Sequence, residues 1–175
     1  MFISPFTRTL LTCGIALAAQ SASAQETTGS IGESTFLQGL GGSFSGSGTL
    51  MRSSETSPRS LICSFTGNPQ GTQVTLNGRC SAGILSTSVN VAVRFDPASR
   101  RYIGSYRDGI GTIANLSGSR RGKNLVLAFN ETAQSTNPGP PGRMTIGQTG
   151  GQLGLSLRSS QPGAGQNLNL TMQKQ

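Results

Sequence analysis

Cys63 and Cys80 are the two side chains best placed to react, and the partner each is placed to meet is the other. A chain that folds about a turn near Gly71 brings them directly opposite each other, and in an oxidising compartment such a pair closes into a disulfide. A catalytic thiol would need a base, and the chain has no histidine. The same absence removes imidazole metal ligands, His-based triads and a switch near neutral pH. The acidic residues are Glu26, Glu33, Glu55, Asp96, Asp108 and Glu131, and no two share a predicted strand face. A paired-carboxylate hydrolase therefore has no support. The two lysines, Lys123 and Lys174, lie in exposed contexts, and the Gly-rich runs open no helix that could hold phosphate. No enzymatic activity, metal or cofactor is expected.

The basic residues are the second group of interest. The formal charge is +8 at pH 7, which favours anionic partners. In an up-and-down meander, alternate connections lie at one end. The turn after Asp96 and the turn at Ser119 to Lys123 then bring Arg100, Arg101, Arg120, Arg121 and Lys123 together, with Asp96 as the one acid. That rim suits an anionic envelope polymer or an acidic protein surface. Nucleic acid is not expected, because no aromatic residues interleave with the arginines.

Short strands carry these side chains. Leu61, Cys63 and Phe65 share one face by period two, as do Val74, Leu76, Gly78 and Cys80. With the cysteines opposed, Phe65 falls opposite Gly78 and Leu61 opposite Ala82, so the register set by sulfur agrees with the register set by burial. Val89, Val91, Val93 and Phe95 alternate with polar positions, as do Tyr102, Gly104 and Tyr106, and then Leu125, Leu127 and Phe129. Asp96-Pro97, Asp108-Gly109 and Gly150-Gly151 mark turns. Residues 131–143 form the longest loop, and Leu168, Leu170 and Met172 close the chain. The pattern predicts an all-β antiparallel meander of about eight to ten strands. Closing it into a small barrel removes both open edges, with a two-sheet sandwich as the alternative. A membrane barrel would place its apolar residues outward between aromatic girdles. Aromatics are only 5% of this chain.

Ahead of the strands, Arg8, the apolar run Leu10 to Ala19 and Ala22-Ser23-Ala24 read as a cleaved export signal over residues 1–24, with Gln25 as the new N-terminus. The run is too short for a transmembrane helix, which needs about 20 residues. Cys13 sits too early in it for a lipid anchor. Residues 25–35 are polar and glycine-broken and read as a flexible arm, with one helical turn expected from Ser34 to Leu40. Residues 36–175 form a single domain. The expected location is periplasmic or secreted.

The order of motifs is also recognisable. Phe36-Leu37 leads to Leu40-Gly41-Gly42, Phe44, Gly46, Gly48 and Leu50. Leu76-x-Gly78-x-Cys80, Tyr102-x-Gly104-x-Tyr106, Leu116-x-Gly118 and Leu125-x-Leu127 follow. This resembles the exported proteins of alphaproteobacteria that fold as small calycin-like (lipocalin-like) barrels. The chain departs from that group at Phe44, where tryptophan is frequent. The resemblance implies a periplasmic barrel and assigns no activity to any residue.

Three functions follow as expectations. A binding or envelope-associated module would use the basic end. A protein-binding module, such as a barrel-type protease inhibitor, would use the arm from Gln25 to Glu33. A small apolar-ligand binder would need a hollow interior lined by Val91, Tyr102, Tyr106, Leu127 and Phe129.

Overall fold

The computed structural model describes residues 22–53 and 55–175. It opens with one helix, α1 (Ala22–Gly39), followed by ten strands: β1 (Gly42–Arg52), β2 (Arg59–Gln70), β3 (Gln73–Ala82), β4 (Leu85–Asp96), β5 (Arg101–Asp108), β6 (Ile113–Arg121), β7 (Asn124–Glu131), β8 (Gly142–Thr149), β9 (Gln152–Ser159) and β10 (Gln166–Lys174). Each strand pairs antiparallel with the next, and β1 pairs with both β2 and β10, so the meander closes into a barrel. Closure leaves no edge strand, which a sandwich would have done. Residues 1–21, with most of the expected export signal, lie outside the described residues; Ala22 to Ala24 fall in the first turn of α1.

Period two explains the core. Buried and exposed residues alternate along β2, where Leu61, Cys63 and Phe65 point inward and Ile62, Ser64 and Thr66 outward. Cys63 pairs in register with Cys80 and Phe65 with Gly78. The two cysteines form a disulfide across 4.2 Å between Cα atoms. A Cβ at Gly78 would lie 2.4 Å from the Phe65 ring, so the bare backbone there is what lets the ring lie flat inside the barrel. The outward face is largely Ser, Thr, Asn and Arg, the inverse of a barrel that presents its apolar face to lipid. No helix among the described residues is long and apolar enough to cross a membrane.

The ten strands give the barrel two dissimilar ends. At one lie the turns at 71–72, 97–100, 122–123 and 150–151, together with the last turn of α1. At the other lie the connections 53–58, 83–84, 109–112, 132–141 and 160–165. The polar stretch read as a flexible arm over 25–35 belongs to α1, which is far longer than the single turn expected from Ser34 to Leu40. Its composition is poor for a helix, with two glycines and three threonines before Phe36. Tertiary contacts hold it instead. Leu37 and Leu40 are fully buried in the barrel mouth. Each contributes about 1.5–3 kcal/mol of apolar burial.

Candidate functional site

The basic turns do share an end, and α1 closes it. Arg120 grips Glu33 of α1 with two hydrogen bonds, Nε at 2.7 Å and a terminal nitrogen at 3.1 Å. Its guanidinium also stacks over Phe36, 5.4 Å from the ring centroid. The Tyr102 hydroxyl donates to the same carboxylate, and the Ser34 hydroxyl donates to the Gly71 carbonyl at 3.0 Å. Burial, then the hydrogen bond to Glu33, pushes the Tyr102 hydroxyl above its ordinary range. The Glu33 hydrogen bond likewise raises Arg120. Arg120 is therefore an internal latch. Arg100, Arg101, Arg121 and Lys123 remain exposed around the plug. At the turn before Arg100, the Ser99 hydroxyl and backbone hold Asp96 below the usual carboxylate range.

Of the five residues expected to line a hollow interior, four are packed in the core. Val91, Tyr102, Leu127 and Phe129 are at most 2% exposed. Tyr102 packs against Phe95 at 5.3 Å between ring centroids. Phe129 meets Tyr106 edge-on at 5.2 Å. Tyr106, the fifth, does face a cavity, but that cavity lies at the end opposite the plug.

This cavity has a volume of about 230 Å³. Its walls are Leu50, Leu61, Leu85, Val89, Leu157 and Leu168, together with Cys80 and Ala82. The core itself marks the place. Leu61, Cys80, Val89, Tyr106 and Leu157 keep 4–8% exposure, whereas every other buried hydrophobic side chain keeps 3% or less. These five all line the cavity. The disulfide thus serves as a staple and as part of the wall.

The polar lining is small and mostly self-satisfied. Asp108 is buried and accepts from the backbone amides of Ile110 at 3.0 Å and Thr112 at 2.9 Å. It also accepts from the Tyr106 hydroxyl at 3.3 Å. The residue read as a turn former is that, and it orients Tyr106 as well. At the rim, Glu55 pairs with Arg59 at 2.7 Å and accepts from the Arg52 amide at 3.2 Å. Arg52 differs: its Nε is buried and has no hydrogen-bond partner among the described residues. Sequence reasoning assigned Arg52 no role, because period two tells which way a residue points and not how full the barrel is at that level. No group of three His, Cys, Asp or Glu among the described residues could hold a metal ion.

Burial, reinforced by the Asp108 carboxylate, pushes the Tyr106 hydroxyl above its ordinary value of 10.0. The unfolded chain releases this proton above about pH 10 while the folded chain keeps it, so stability is complete below that pH and falls as pH rises. The slope approaches about 1.4 kcal/mol per pH unit. Thermal midpoints followed with tyrosinate absorbance across this range should show the decline, and Tyr106→Phe should make it shallower, the remainder coming from Tyr102, whose hydroxyl is raised in the same way. A decline as steep in the variant would contradict the assignment.

Fold and site together define a small meander β-barrel, plugged by a helix at one end and hollowed by an apolar cavity at the other. No protein-family model and no curated protein matches the sequence. Solved structures do match. One is the crystal structure of Rv2717c from M. tuberculosis, with a TM-score of 0.62 and 16% sequence identity, covering 82% of this chain and 97% of that one. At that identity the likeness is one of fold.

Proposed function

We propose that this chain is a non-enzymatic, exported barrel of the calycin-like kind that binds a small, largely apolar molecule at its open end. The observation that carries the reading is the apolar cavity of about 230 Å³ between Leu61, Val89 and Leu157. An engineered cavity of about 150 Å³ takes up benzene, so by proportion this one suits about nine or ten non-hydrogen atoms. The unpartnered Arg52 Nε favours a ligand with one hydrogen-bond acceptor, such as a carbonyl or carboxylate. Export rests on residues 1–24 and agrees with the disulfide.

The other readings lose support from the same geometry. A partner-capturing arm would need a free segment, and Glu33 and Ser34 tie that segment to the barrel. The anionic-polymer rim loses Arg120 to its internal latch.

Ala82 lies on the inward face beside Cys80 and lines the cavity. Ala82→Phe should fill the space and weaken binding of an apolar fluorescent probe by about tenfold or more, with the thermal midpoint little changed. Probe binding that ignores Ala82→Phe, or that is lost instead on charge reversal of Arg100, Arg101, Arg121 and Lys123, would overturn the reading.

A further inference from the structure

We propose that the open end docks on an anionic lipid surface. Among the described residues five of the six exposed large hydrophobic side chains lie in this half of the barrel, the sixth being Ile31 on α1. Ile84 is 101% exposed and Leu85 63%, both at the tip joining β3 to β4, and Ile110 in the next turn at that end is 46% exposed. Met51 and Ile62, on the outward face of β1 and β2, flank the same half of the barrel. The Gly83-Ile84 connection has its positive φ at Gly83. The second turn position accepts almost any residue, so turn chemistry does not ask for a fully exposed isoleucine. An apolar group of this kind, rimmed by charge, marks an interaction site.

The surrounding charge selects the partner. Arg79, Arg107, Arg143 and Arg158 are exposed on the strands of this half. Arg143 stands directly opposite Arg158 across β8 and β9, a like-charge pair that costs some stability and that a bound anion would relieve. The nearby acids offer little compensation: Glu55 is committed to Arg59, Asp108 is buried under three hydrogen bonds, and Glu131 is half-buried. Apolar tips that enter a bilayer boundary and arginines that meet its headgroups are the two components of interfacial binding. Leu85 and Ile110 also form part of the cavity wall. If the ligand reading above is right, a docked barrel therefore presents its cavity to the lipid phase without an intervening water layer; docking itself does not depend on that reading.

The test is flotation of the full chain with phosphatidylcholine vesicles, with and without phosphatidylglycerol. Binding is expected to the anionic vesicles only, and to weaken with salt. An arginine at such a surface is worth about fivefold in binding, so Arg143→Glu with Arg158→Glu should weaken it by tenfold or more. Ile84→Ser with Leu85→Ser should do the same; all four side chains are exposed, and an unchanged thermal midpoint confirms the fold. Arg100→Glu with Arg101→Glu at the plugged end should leave binding intact, as should Ala82→Phe, which separates docking from cavity occupancy. No binding, equal binding to neutral vesicles, or loss through the Arg100 and Arg101 pair would overturn the proposal. So would a dimer in solution that Ile84→Ser with Leu85→Ser converts to monomer, because the apolar tip would then cover a second copy.

Discussion

Replacing Cys63 and Cys80 together by alanine is expected to cost the fold about 3 kcal/mol, the chain-entropy value for a loop of this size. The two residues are 17 apart in sequence, and the closed segment is the β2–β3 hairpin, whose register the cross-link fixes even in the unfolded chain. For a domain of this length, that loss lowers the thermal midpoint by about 6–12 °C. Urea titration should also show a steeper slope, because the unfolded chain without the link exposes more surface. Both sulfurs are buried and Cys80 forms cavity wall, so the double variant should loosen apolar-probe binding as well as the fold. A midpoint shift below about 2 °C would mean that core packing alone holds the hairpin. The staple would then have no structural role.

The hairpin was legible because two independent signals coincide in it. Alternation placed Leu61, Cys63 and Phe65 on one face, and sulfur placed Cys63 opposite Cys80; a slip by one residue would break both. The turns with Asp96, Asp108 and Gly150-Gly151 were legible from their own chemistry, and strand parity carried Arg100, Arg101, Arg120, Arg121 and Lys123 to one end. What that end does was not legible. The latch from Arg120 to Glu33 joins residues 87 apart in sequence, and nothing local in the glycine- and threonine-bearing stretch ahead of Phe36 announces a helix. The cavity was misplaced for a related reason. Val91, Tyr102, Leu127 and Phe129 do point inward, as period two requires, yet large facing side chains fill the barrel at their level. Space opens where Ala82 and the strand-end residues Leu61, Val89 and Leu157 face one another. Fullness depends on the summed volumes of several strands and not on the pattern along any one.

The plug gives the barrel a single mouth, and one residue decides whether it seats. Gly67 on β2 lies where the end of α1 meets the barrel wall. A Cβ there would stand 1.9 Å from the Leu40 carbonyl oxygen and 3.2 Å from a Leu76 methyl. Leu40 and Leu76 are both fully buried, and the nearer obstacle is backbone, so no side-chain rotation relieves the clash. Gly67→Val is therefore expected to expel the end of α1. Withdrawing Leu37 and Leu40 costs about 3–6 kcal/mol of apolar burial, and the expelled helix releases Arg120 from Glu33. The segment around Leu37 and Leu40, buried in the parent chain, should become the first site of limited proteolysis. The cavity at the far end shares no lining residue with the plug. Probe binding should therefore persist at temperatures below the lowered midpoint. If Gly67→Val costs under about 1 kcal/mol and leaves α1 resistant to protease, the helix does not seat on β2 as described. If proteolysis rises and probe binding disappears with it, the two ends are coupled, and the barrel needs its plug in order to hold its cavity open.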